Sequence, residues 1–129
     1  DIDFLGHVSN IVYLRWLEDL RLLMLERTLP LQRQIDAGLA PVLLHTDIHY
    51  RRPIRLADAP VGRMWLSAMT AARLVLAAQI VVGELLAAEA TQTGVLIDLK
   101  TGRPVRLPPE ARQAFAALLE SHHLPGNPG

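Results

Sequence analysis

The 129-residue chain contains no cysteine, which excludes disulfides, thiolate metal centres and a cysteine nucleophile, and leaves the redox compartment open. Net charge is missing too. Basic and acidic residues balance at 13 each, so no overall field favours nucleic acid or an anionic membrane, and an anionic partner needs a local patch. Lysine is almost absent, with Lys100 alone. Arginine is the better fork for phosphate and carboxylate, although a GC-rich genome accounts for the same bias. Apolar stretches such as Leu74 to Val82 are broken or closed by Gln79, Gly83 and Glu84. None approaches the roughly 20 residues that span a bilayer. A phosphate-cradling glycine loop, a serine elbow, a metalloprotease helix and internal repeats are also lacking. The chain starts at Asp1 rather than methionine, so an upstream segment, which can include a targeting peptide, is expected.

Half of the residues are hydrophobic and 20% are charged, the balance of a globular protein. The length fits one domain, expected over residues 1–121, with a fraying tail over 122–129 that contains "LPGNPG". From Asn10 to Arg27 there is no glycine or proline, and Val12, Trp16, Leu20 and Leu23 recur at spacings of three and four. This predicts a long helix, capped by Ser9 or Asn10 and ended by Pro30. Its other apolar residues spread around the axis, as in a helix covered on most sides.

A loop with Asp36 and Gly38 leads to "PVLLHTDIHYRRPI". Strict alternation there puts Val42, Leu44, Thr46, Ile48 and Tyr50 on one face, with Leu43, His45, Asp47, His49 and Arg51 on the other. Pro53 ends the strand or confines it to an edge. The segments "VGRMWLSAMTA", "RLVLAAQIVV" and "LLAAEATQTGVLIDL" read as an antiparallel meander with a hairpin at Gly83 and Glu84, although their alanines also suit helix. A short amphipathic helix follows in "LPPEARQAFAALLESHH", with Ala111, Phe115, Leu118 and Leu119 on one side. The plan is α+β.

The opening "DIDFLGHVSNIVYLRWLEDLR" crowds polar residues at the mouth of the long helix. It resembles the signature of hotdog-fold acyl-CoA thioesterases, the group of 4-hydroxybenzoyl-CoA thioesterases and their YbgC-like relatives. Asp1, Asp3, Gly6, His7, Val8, Ser9, Asn10, Tyr13, Trp16, Glu18 and Arg21 stand at its positions. "IHYRRPIRLAD" and "AEATQTGVLIDLKTGRPVRLPPEAR" extend the resemblance over nearly the whole chain, short of a first strand that would precede Asp1. It implies a hotdog fold, in which a curved antiparallel sheet wraps a long central helix, followed here by a short C-terminal helix.

The resemblance further implies hydrolysis of a thioester to a carboxylic acid and coenzyme A, with Asp3 as the catalytic carboxylate. Asp3 would act either as a base on water or as a nucleophile forming an anhydride. The backbone amide of Asn10 would be the oxyanion donor. A thioester carbonyl needs both functions, and a helix amino terminus supplies free N–H groups and a positive dipole end. His7 is a base, a positioning group or a turn residue. Gly6 permits close approach of backbone to substrate. Asp1 is a solvated acid or a helix-flanking charge.

Tyr13 packs or lines the acyl pocket, and the acyl chain is expected to run near Tyr13 and Trp16. Glu18 and Arg21 are expected to pair along the helix. Ser9 replaces the first asparagine of the usual pair, which leaves capping intact but bears on substrate placement. Arg73 contacts coenzyme A phosphates or lies exposed, and the cluster Arg51, Arg52 and Arg55 has the same two readings. His45, Asp47 and His49 alternate on one face and could hold a metal, but a solvated or interface face gives the same pattern, and no metal is expected.

No cofactor is expected beyond the coenzyme A of the substrate. The expected setting is cytoplasmic, as a homodimer or homotetramer with a site between subunits, and without nucleic-acid or membrane partners. Two alternatives are an acyl-carrier-protein thioesterase and a non-catalytic acyl-CoA-binding hotdog protein.

Overall fold

The structure, a computed structural model, describes residues 10–55 and 57–122. Helix α1 spans Asn10–Thr28 and is followed by a six-residue helix α2, Leu31–Asp36. Four long strands come next: β1 (Leu39–Tyr50), β2 (Pro60–Met69), β3 (Arg73–Val82) and β4 (Leu85–Asp98). A two-residue β5 (Pro104–Val105) and helix α3 (Pro109–His122) complete the order. The sheet is antiparallel, in the order β1-β4-β3-β2, with β5 on β4. This is the α+β hotdog plan that the resemblance implies.

The meander follows from its breakers. Gly83 and Glu84 form a two-residue turn between β3 and β4, and Gly83 has φ +62°, the left-handed first position that a tight hairpin favours. Every second residue of β3, namely Leu74, Leu76, Ala78 and Ile80, is buried. These face α1, where Leu17 rests on Ala78 and Ala90. Gly62 of β2 admits the helix closely, since a Cβ there would lie 2.9 Å from Leu20 Cδ1. Helix α3 closes the far end of the core through Ala111 and Phe115, which cluster with Leu66, Leu74, Leu96 and Leu107.

Three features depart from the sequence reading. The stretch after Pro30 is helical rather than a loop, because the Pro30 carbonyl accepts from Gln34 N and Gln32 Nε2 donates to Asp36 Oδ1. The strict alternation assigned to β1 fails at Leu44, where the register against β4 shifts between Leu43 and His45. The extra residue is a bulge. It puts Leu43, opposite Gly94, on the helix-facing side with Thr46, which lies opposite the buried Gln92. Finally, Tyr13 and Leu17 of α1 are buried, but Ile11, Leu14, Leu22 and Leu23 remain exposed, so among the described residues the cover expected on most sides of the helix comes from the sheet and, at the C-terminal end, from α3.

Candidate active site and an adjoining cavity

Helix α1 is described from Asn10, which is exposed, and the first N–H groups of a helix have no partner within it. One turn on, Tyr13 is only 3% exposed and packs with Ile54, Ile80, Ala87 and Ala88. Its ring meets Trp16 edge-on at 5.5 Å and Tyr50 at 5.0 Å. Such edge contacts add to simple burial. Burial pushes the Tyr13 hydroxyl above its ordinary pKa, Tyr50 adds to the rise, and a hydrogen bond with the Ile54 backbone opposes it. The buried, edge-packed ring anchors this end of the helix to the sheet.

Asp1, Asp3, Gly6, His7, Val8 and Ser9 lie outside the described residues. Of the others, Arg52 stands at the same corner as Tyr13. Arg51 N and Arg52 N both donate to the carbonyl of Ala87, at 2.8 and 3.0 Å, and Ala87 belongs to the Tyr13 cluster. The Arg52 side chain is exposed, whereas Arg51 pairs with Glu89. Arg73 opens β3 opposite Val95, while Ile80, which touches the Tyr13 cluster, lies seven residues further along the strand. At about 3.4 Å per residue that is about 24 Å. Arg73 is exposed on the face away from α1. The fold thus gathers Asn10, Tyr13, Trp16 and Arg52 at one corner and leaves Arg73 at the opposite end of the sheet.

His45, Asp47 and His49 lie opposite Thr93, Thr91 and Glu89 on the outward face. His49 Nε2 is 3.4 Å from Asp47 Oδ2, both groups being well exposed. Among the described residues no three potential ligands gather in a metal-binding group.

A feature that sequence reasoning missed lies under the other half of α1. A cavity of about 450 Å³ is lined by Leu22, Leu25 and Leu29, by Pro41 to Leu43 of β1, and by Leu74, Leu76, Leu96 and Leu107. Arg21 also lines it and turns to the sheet rather than to Glu18: its Nη1 donates to Gln92 Oε1 at 3.0 Å. Gln92 is 2% exposed, and its Nε2 donates to Thr46 Oγ1 at 3.2 Å. The amide is satisfied at both ends, as a buried polar group must be. The available signal was Gln92 itself, a polar residue in the inward register of Ala88, Ala90 and Leu96.

Comparison with known proteins adds the family. Residues 1–115 match the family model described as the thioesterase-like superfamily. The long-chain acyl-CoA thioesterase FadM of Escherichia coli K12 is 30% identical over 122 residues, 92% of each chain. Among solved structures, the probable thioesterase YbaW from Escherichia coli superposes with a TM-score of 0.79 at 30% identity, covering 92% of this chain and 90% of its own. The 1,4-dihydroxy-2-naphthoyl-CoA thioesterase Slr0204 from Synechocystis superposes with a TM-score of 0.81 at 25% identity, covering 92% and 89%.

Proposed function

The chain belongs to the thioesterase-like superfamily and is a thioester hydrolase, and from that premise we propose that it cleaves acyl-CoA to a free carboxylic acid and coenzyme A at the amino end of α1. The observation that carries this reading is the first described turn of that helix at Asn10, which follows the motif containing Asp3 in the sequence and leads into the packed Tyr13 and Trp16.

The carbonyl oxygen of the thioester accepts from the Asn10 N–H, which with the helix dipole stabilises the negative charge that develops there. Asp3 drives the attack by either of two routes. As a base it takes a proton from a water that adds to the carbonyl carbon. As a nucleophile its carboxylate adds directly, and water then opens the resulting anhydride. In both, the C–S bond breaks and coenzyme A leaves as thiolate, to be protonated. Gly6 lets the backbone approach the substrate, while His7 and Ser9 position it. Tyr13 and Trp16 flank the acyl group, and Arg52, exposed at that corner, meets the nucleotide end. Arg73, remote on the opposite end, is a candidate only for the long arm of coenzyme A bound elsewhere on an assembly.

That assembly is proposed to be at least a dimer through β1. This 12-residue strand is an edge among the described strands, and the exposed Ile11, Leu14 and Leu22 lie along α1. Open edges and apolar patches of this kind are normally covered.

The test is thiol release from a panel of short, long and aromatic acyl-CoA substrates by the full chain, beside the same acyl groups on carrier protein. Turnover of the coenzyme A series is expected. Hydrolysis of carrier-protein thioesters alone, or tight binding of acyl-CoA with no thiol released, would overturn the reading.

A further inference from the structure

Arg21 leaves the surface of α1 and reaches into the sheet, where its Nη1 donates to Gln92 Oε1 at 3.0 Å and Gln92 Nε2 donates in turn to Thr46 Oγ1 at 3.2 Å. From this chain of bonds, and resting on the thioester reading above, we infer that Arg21 is a positioning residue for the reaction at Asn10. With Gln92 and Thr46 it ties α1 across β4 to β1, and so fixes where the amide at the start of the helix stands.

The tie is a costly choice for stability alone. Gln92 is only 2% exposed, and burying an amide costs free energy that its hydrogen bonds no more than offset. What a polar chain adds is a set distance and angle, whereas aliphatic contacts slide. Its neighbours are nearly all leucine, with Leu29, Leu74, Leu76, Leu96 and Leu107 buried beneath this half of α1. Uniform layers of this kind specify position poorly, and a buried polar group is one means of setting register.

Support for the helix is also one-sided here. On the β2 flank Leu20 closes on Gly62, and Met24 packs against the cluster that holds Phe115 of α3. On the β1 flank the cavity of about 450 Å³ separates Leu22 and Leu25 from Pro41 to Leu43. Arg21 supplies the restraint on that open side.

Asn10 feels this restraint through the helix. Tyr13 and Leu17 bound its most deeply seated turn, at 3% and 1% exposure. At about 1.5 Å per residue, the middle of that turn lies about 9 Å from Arg21 and about 7.5 Å from Asn10. A rigid helix that pivots there and swings by about 1 Å at Arg21 moves Asn10 by about 0.8 Å. A misplacement of about 1 Å costs on the order of 10²-fold in rate.

The test uses the full chain with Arg21→Met, which keeps a long apolar stem and removes the donors. For the shortest and the longest acyl-CoA that the wild type turns over, kcat should fall about tenfold or more with KM within about twofold, because a displaced oxyanion donor is missed only in the transition state. Arg21→Lys, which still offers one donor, should recover part of the loss. Thr46→Val, which releases Gln92 from the far end, should repeat the fall on a smaller scale. Thermal unfolding checks that each variant is folded. Independently of turnover, the amide resonance of Asn10 in a nitrogen–proton correlation spectrum should shift in Arg21→Met, although the two residues are about 16 Å apart along the helix, and return toward the wild-type position in Arg21→Lys.

Unchanged kcat in folded Arg21→Met and Thr46→Val would overturn the inference. A rise in KM alone, or a loss confined to long acyl chains, would overturn it too, by showing that Arg21 touches substrate. If the wild type hydrolyses no thioester, the acyl-CoA reading falls, and the Asn10 resonance still decides the tie: a shift in Arg21→Met upholds it, and an unmoved resonance overturns it.

Discussion

Beneath the N-terminal half of α1 the sheet offers Ala78, Ala88 and Ala90, and Tyr13 and Leu17 settle onto them with a void of only about 10 Å³ left. Beneath the C-terminal half it offers Leu74, Leu76 and Leu96 around the bare backbone of Gly94, and about 450 Å³ stays open. The same strand, β4, builds both environments, with alanines at 88 and 90 and glycine at 94. The difference shows how side-chain size along a single strand sets where a helix touches. Small residues draw it down at the end that carries Asn10, the amide proposed to bind the thioester carbonyl. Large ones hold it off further on, and a glycine among them leaves a hole that nothing in the described chain fills.

The comparison predicts unequal responses to substitution. Leu17→Ala, at the closed end, should cost about 2–5 kcal/mol, because the packed alanines beneath cannot collapse into the space. Denaturant unfolding measures it, and a cost as small as that of an exposed leucine would dissolve the contrast. Gln92→Leu comes next, at about 1–3 kcal/mol, since it strips a partner from both Arg21 and Thr46.

Tyr13→Phe has a smaller effect that depends on pH. Burial raises the folded pKa of Tyr13 above its unfolded value of 10.0. Its contribution is therefore fully present below pH 10 and is lost as pH climbs from there through the folded pKa. Alkaline unfolding should be shallower in Tyr13→Phe than in the wild type, and coincident curves would contradict the burial argument. Gly94→Leu, at the open end, should change stability by less than about 1 kcal/mol while it takes up part of the cavity, as filling space with apolar atoms is tolerated where no clash results.

Much of the fold was legible in the residues. The hairpin at Gly83 and Glu84, the strand at β3 and the apolar side of α3 through Ala111 and Phe115 all follow from spacing and breakers, which report local conformation directly. The bulge at Leu44 did not, because alternation describes a strand by itself and a bulge exists only relative to a partner. That one-residue shift moved Leu43 to the inner face, and with it the wall of the cavity. The short α2 after Pro30 was hidden for another reason: six residues carry too little periodicity to separate a helix from a loop.

The site divides similarly. The corner at Asn10, Tyr13 and Trp16 was readable from the motif that precedes and enters α1. The chain Arg21, Gln92 and Thr46 joins residues 71 and 46 positions apart, and only tertiary register brings them together. Arg21 read in isolation belonged with Glu18, its neighbour on the helix surface, whereas the sheet offered it the buried amide.

The most direct measurement compares long-chain acyl-CoA hydrolysis by the full chain and by Asp3→Asn, with thermal unfolding of both. A carboxylate that drives the attack at the mouth of α1 is worth about 10²–10⁴ in rate. The account predicts a fall of that order in kcat, with substrate still bound and the melting temperature unchanged. Undiminished hydrolysis by a folded Asp3→Asn protein would contradict it.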